Sequence, residues 1–340
     1  MKRPHSSVTP KPPLPKFRGV FFGTSDFAVP ALATFSRHVD CVLVVTQPDR
    51  PSGRGQKLQP TPVKVAALGL GIATIEPERL RDALGALAQT EADVFAVASY
   101  GKIVPQAVLD LPRLGALNVH PSLLPLYRGA TPLQTQLRDG VTDAGVTIIA
   151  MDAGMDTGDA VLAERSPIGA RETYGSLHDR FAQLGAELLG RACVQLAAGR
   201  LRRVPQALLG SAAEAARTRT RPLLKADLDI DWTASARAVV DLVRSLAPAP
   251  GARASFGGDA APLKILEARV AEPSDFGNAK NLDAFTGRLP GELVDGKFVA
   301  TGSGYVVLER LVPPGRSALS GDEFARASLA RTQRETVSAR

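Results

Sequence analysis

The chain has 340 residues, with 41 Lys and Arg against 34 Asp and Glu and a formal net charge of +7. At 44% hydrophobic and 22% charged it has the composition of globular protein, neither disordered nor fibrous, and its length predicts two domains. Two cysteines, Cys41 and Cys193, exclude a disulfide framework and point to a reducing, cytoplasmic setting, and no apolar run approaches the ~20 residues that span a bilayer.

Residues 1–16 are basic and proline-rich, lack the apolar core of a secretory signal, and read as a disordered tail. Order is predicted from Phe17. Gly19–Gly23 is a short buried strand that breaks at glycine, Phe27–Phe35 a helix, and Cys41–Val45 a second strand. Gln47–Lys64 carries Arg50, Arg54, Lys57 and Lys64 against Asp49, a local charge of +3. Its four prolines and two glycines predict a long exposed loop suited to phosphate contact. Val63–Leu70 and Glu78–Thr90 read as helices, with a short strand at Gly71–Thr74 between them. Asp93–Ser99, Ala116–His120 and Val146–Met151 read as strands, and a helix runs from Thr173 to about Gly199. Apolar strands alternating with helices indicate a parallel sheet covered on both faces. Residues 17–201 are therefore expected to form an α/β, doubly wound, Rossmann-like domain.

Three places in this region could carry chemistry. The turn Gly23–Asp26 sits at the carboxyl end of the first strand, where such folds bind ligands, but it is not GxGxxG and gives no dinucleotide fingerprint. Asn118 and His120 are two apart on one strand, so they project to one face, and Pro121 ends the strand at once. An amide beside an imidazole suits attack on a carbonyl: the amide can stabilise an oxyanion and the imidazole can move a proton. The Gly-rich loop after the fifth strand holds Asp152, Asp156 and Asp159, any of which could orient that imidazole. No His/Cys spacing fits a metal site.

Residues 200–225 carry a net +6 with no apolar stripe, and 202–222 read as a basic linker. A helix over Ala234–Leu246 and short strands at 263–270, 291–294, 297–300 and 305–308 then predict a smaller C-terminal β-barrel, OB-like, over 223–340.

The motif Ser122-Leu-Leu-Pro-Leu-Tyr-Arg-Gly129, with Asn118-x-His120 and Asp156-Thr-Gly158, resembles the signature of enzymes that use 10-formyltetrahydrofolate. The basic loop Thr46–Leu58 resembles the insertion peculiar to methionyl-tRNA formyltransferases, and Ile230-Asp-Trp232 with Pro248-x-Pro-Gly-Ala252 is similar to that family's C-terminal start. Ser25 stands where the family usually has proline. The resemblance implies formyl transfer from 10-formyltetrahydrofolate, a co-substrate, to the amine of initiator methionyl-tRNA. It implies Asn118, His120 (protonated) and Asp156 as the catalytic set. It places Ser122, Leu123, Leu124 and Pro125 at the folate and Arg50, Arg54 and Lys57 at the tRNA, in a monomeric, metal-free enzyme with no membrane partner.

Overall fold

A computed structural model describes residues 17–52, 57–256, 261–276 and 285–328; the expected tail at 1–16 and Arg54 lie outside the described residues. The chain divides into two compact units, one running through Asn118 and including Leu189–Leu201, the other made of Val119–Leu188 and the chain from Arg202 onward.

In the first unit β1 (Arg18–Gly23) is followed by α1 (Val29–His38), β2 (Asp40–Val45), β3 (Arg50–Ser52), β4 (Lys57–Gln59) and α2 (Pro62–Gly69). Then come β5 (Thr74–Ile75), α3 (Leu84–Gln89), β6 (Val94–Ala98), α4 (Gln106–Leu109) and the start of β7 (Ala116–His120). The strand order is β5-β2-β1-β6, continuing to β7, and the β5–β2, β2–β1 and β1–β6 pairings are parallel. Val20, Phe21 and Phe22 on β1 and Val94–Ala98 on β6 are buried without alternation, as expected of strands covered on both faces.

The expected loop at 47–64 is instead a β-hairpin, β3 pairing β4 from Arg50↔Gln59 to Ser52↔Lys57. Its last residues belong to α2, whose start is fixed by Pro62 and by the Thr61 hydroxyl, which accepts from Lys64 N at 3.1 Å.

The second unit takes the end of β7 and continues through α5 (Pro132–Arg138), β8 (Gly145–Ala150), β9 (Asp159–Arg165) and α6 (Tyr174–Ala197), whose final turns return to the first unit. β9 pairs antiparallel with β8, an edge strand that its half-exposed sequence does not announce. The expected linker contains α7 (Ala212–Arg217), capped by Ser211, whose hydroxyl accepts from Glu214 N at 3.2 Å.

Next come α8 (Ala236–Leu246), β10 (Ala252–Ala254), β11 (Leu263–Val270), β12 (Leu293–Val294), β13 (Phe298–Ala300), β14 (Tyr305–Val312) and β15 (Leu319–Ser320). These strands form an antiparallel half-barrel in the order β10-β11-β14-β13-β12, with β15 on β14. Val239, Val240, Val243 and Leu246 lie on one face of α8 and are buried against Ala252, Ile265, Val306 and Leu308. Each such aliphatic side chain contributes about 1.5–3 kcal/mol relative to exposure, which fixes the helix on the sheet. Among the described residues no helix is long and apolar enough to cross a membrane.

Candidate active site

β7 delivers His120 to its carboxyl end, where Pro121 stops the ladder and the chain turns back over the imidazole. His120 is 4% exposed, and its Nε2 lies 3.0 Å from the Tyr127 carbonyl. A carbonyl only accepts, so Nε2 carries the hydrogen and Nδ1 is the nitrogen that titrates. Nδ1 faces Asp156 Oδ1 at 3.5 Å. Burial pushes the imidazole below its ordinary range. The Asp156 charge and the Tyr127 carbonyl oppose that shift, and the Arg128 guanidinium adds to it. The resting imidazole is therefore neutral at neutral pH. With an acceptor opposite each ring nitrogen, the site can hold an imidazolium as an ion pair with Asp156 once His120 takes up a proton.

The turn that follows is held by side-chain hydrogen bonds from within it and from β8. The Ser122 hydroxyl donates to Leu126 O at 2.6 Å, and Thr147 Oγ1 donates to Ser122 O at 2.7 Å while accepting from Leu124 N at 3.2 Å. Tyr127 has φ 57°, a left-handed conformation that aims its carbonyl at His120. Gly129 has φ 117°, and a Cβ there would overlap the Thr220 carbonyl, so the glycine closing the Ser122–Gly129 motif is a backbone requirement.

Asp156 reaches the site in the same strained way, at φ 56°. Its Oδ2 accepts from Gly129 N at 2.8 Å, tying the two loops together. The other two aspartates are placed differently. Asp152 Oδ1 is turned into its own loop, accepting from Gly154 N at 3.1 Å and Thr157 Oγ1 at 2.6 Å. Asp159 opens β9 opposite Ala150.

Two further residues complete this neighbourhood. Gln206 is 4% exposed, and its Nε2 donates to Asp156 O at 2.9 Å and Gly158 O at 2.7 Å. Its Oε1 accepts from Arg128 Nε at 3.0 Å and Nη2 at 2.6 Å. A cavity of about 630 Å³ adjoins them, lined by Pro125, Arg128, Met155, Thr157, Gln206 and Arg219 among others. Arg128 was visible in the sequence as part of the motif. Gln206 was not, because a glutamine after Val-Pro in a basic stretch carries no periodic or charge signal.

The remaining expected residues stand as follows. Asn118 is half-buried, two positions before His120 on β7 and within the first unit. Of the four residues expected at the folate, Ser122 and Leu124 are buried, and Pro125 lines the cavity. Arg50 is exposed on β3, with Nη2 3.4 Å from Gln47 Oε1, and Lys57 begins β4. Lys64, counted with the basic loop, is neutralised in place by Asp49 at 2.9 Å and Glu76 at 2.8 Å.

The hairpin springs from the carboxyl edge of the first unit's sheet. There Gln47 Nε2 and Thr24 Oγ1 both donate to Tyr100 O at 2.8 Å, and Ser25 Oγ donates to Ser99 Oγ at 2.7 Å. This stitches the ends of β1 and β6 where the strand order reverses. Among the described residues no group of three or more His, Cys, Asp or Glu could hold a metal ion.

The formyl transferase family model matches residues 18–193, and the model of the formyl transferase C-terminal domain matches residues 222–329. The methionyl-tRNA formyltransferase of Aromatoleum aromaticum is 43% identical over 310 residues, covering 90% of this chain and 92% of that protein. That of Syntrophus aciditrophicus is 41% identical over 312 residues, covering 90% and 95%. Among solved structures, the N-formyltransferase from Helicobacter canadensis in complex with folinic acid and dTDP-3-aminofucose matches with a TM-score of 0.61 at 17% identity, over 86% of this chain and 99% of that one. At that identity the likeness speaks for the fold alone.

Proposed function

The chain belongs to the formyl transferase family, and from that premise we propose that it transfers the formyl group of 10-formyltetrahydrofolate to the α-amine of methionine esterified to initiator tRNA. The observation that carries the chemistry is a buried imidazole whose free nitrogen faces Asp156 at 3.5 Å, beside a cavity rimmed by guanidinium groups.

The folate supplies the formyl carbon. Pro125 and the apolar face of Met155 offer that co-substrate ring-sized apolar contact, and Arg128 and Arg219 offer charge to an anionic partner. The methionyl amine attacks the formyl carbon, forming the new C–N bond. The Asn118 amide donates to the oxygen on which charge develops. His120 Nδ1, neutral at rest, accepts the amine proton, and Asp156 together with the Tyr127 carbonyl stabilises the resulting imidazolium. The proton passes to the folate nitrogen as the old C–N bond breaks, and tetrahydrofolate leaves. Residues 17–201 carry this chemistry, 202–222 buttress it, and 223–340 together with Arg50, Arg54 and Lys57 contact RNA phosphates.

The test is a transfer assay with 10-formyltetrahydrofolate and one of three acceptors: Met-tRNA, an amino sugar, or water alone. Transfer to Met-tRNA is expected, falling at least ~10²-fold in His120→Ala. The wild-type rate should rise with pH through a limb below about 6.5, since His120 must be neutral to accept the proton and burial lowers its pKa, and through a second limb from the methionyl α-amine, which attacks only when unprotonated. Formyl groups reaching only the sugar or water, or an unchanged rate in the variant, would overturn the assignment.

A further inference from the structure

Gln206 lies outside the Asn118–Asp156 stretch, in the segment the sequence presents as a basic linker, yet it is among the most buried polar residues of the described chain. Its four hydrogen bonds leave one orientation for the amide. Asp156 O and Gly158 O can only accept, and Arg128 can only donate, so Nε2 must face the loop and Oε1 the guanidinium. The donors reach backbone carbonyls on both sides of Thr157, the residue after a carboxylate held at φ 56°. A left-handed aspartate persists only where its surroundings over-determine it. Here Gly129 N holds its side chain and Gln206 holds its backbone.

We propose that Gln206 is a positioning residue for formyl transfer, fixing the Asp156 loop against His120 from the segment that follows the catalytic domain. This rests on the reading of Asp156 and His120 as the working pair. The segment is itself pinned to the same turn. Tyr127 N donates to Thr218 Oγ1 at 3.2 Å, Thr220 N to Arg128 O at 2.8 Å, and Thr131 N to Thr220 Oγ1 at 3.2 Å. Gln206 is thus the inward end of a seam running along residues 127–131. Displacing a reacting group by ~1 Å can cost ~10²-fold in rate, so losing the clamp should be felt in turnover before it is felt in binding.

Two variants separate positioning from mere packing. Gln206→Glu keeps the shape and gains an ion pair with Arg128, but sets a carboxylate oxygen against two carbonyls. Gln206→Met keeps the length and loses every hydrogen bond. Both should lose at least ~10-fold in kcat, and Gln206→Met, which leaves the Arg128 charge in place, should keep KM for Met-tRNA and for the folate within about threefold of wild type. Leu208→Ala, at a side chain 76% exposed in the same segment, should leave all three unchanged.

The acid limb should move in opposite directions. The groups facing His120 are Asp156, which raises its pKa, Arg128, which lowers it, and the Tyr127 carbonyl, which raises it. Gln206→Glu neutralises Arg128 and moves the limb up in pH. Gln206→Met frees Asp156 and moves it down. Following the His120 imidazole by NMR reads the same shifts without any acceptor, so Gln206 is tested even if Met-tRNA proves to be the wrong substrate. A kcat within twofold of wild type, a change confined to KM for tRNA, an unmoved imidazole, or loss of folding in both variants would each overturn the proposal.

Discussion

The chain carries two basic, Pro- and Gly-bearing stretches that look alike in sequence, and the fold treats them in opposite ways. Among its described residues the β3–β4 hairpin is anchored at its root, through Gln47 and the Lys64 pairs, and Arg50 stands exposed beyond that anchor. The segment 202–225 has Arg202, Arg203, Arg217 and Arg219 exposed without an acidic partner among the described residues, but its neutral residues are sewn inward. Gln206 and Thr220 are buried, and Thr218 accepts from the turn that covers His120. In the hairpin a cation, Arg50, is left outward on the stem. In the second stretch the uncharged side chains build the site and the cations are its outer face.

Three substitutions sharpen or break that contrast. The largest effect is expected from Gly129→Ala, which would drive a methyl group into the Thr220 carbonyl at a φ of 117° and unseat the second stretch. A loss of at least about 2 kcal/mol in a denaturant melt is expected, with transfer activity falling alongside it. A melt unchanged from wild type would show that the seam along 127–131 is dispensable.

Arg50→Ala comes next and should do the reverse. The melt stays as it was, while KM for Met-tRNA rises a few-fold and the salt dependence of binding loses about one unit of slope. Loss of folate affinity instead would place Arg50 elsewhere. The smallest effect belongs to Lys64→Met. Because Asp49 and Glu76 already occupy this ammonium, KM for tRNA should stay within twofold of wild type despite the lost charge. A rise matching that of Arg50→Ala would return Lys64 to the RNA-facing set.

Much of the first unit was legible because its strands are continuously apolar. The limits of β7 are those read from the sequence, since burial on both faces leaves no competing period. β9 escaped notice because an edge strand with half-exposed side chains has no continuous run to display. The 47–64 hairpin read as loop because prolines and glycines signal breaks, and a three-residue strand between them falls below any periodic signal.

For the site, two-residue spacing brought Asn118 and His120 into view, but spacing could not choose among three aspartates. That choice depends on a left-handed backbone at Asp156 and on Asp152 being consumed by its own turn. The burial that lowers the His120 pKa was not legible, because a sequence shows neighbours along the chain and not the protein that excludes water around it. Gln206 was out of reach for the same reason: its partners lie 78, 50 and 48 positions away.

The placement of Gln206 bears on how this architecture can be taken apart. The family models meet the chain as two modules, matched at 18–193 and 222–329, with a gap between them. A cut at Leu201 would respect that map and yet strip Asp156 O and Gly158 O of their donor. Exchange of C-terminal domains between relatives should therefore succeed only when the graft point falls after Thr220, so that residues 202–220 travel with the catalytic half. The portion of chain that must stay together for the Asp156 loop to keep its donors is then longer than the first matched module by about one short helix and the turns that flank it.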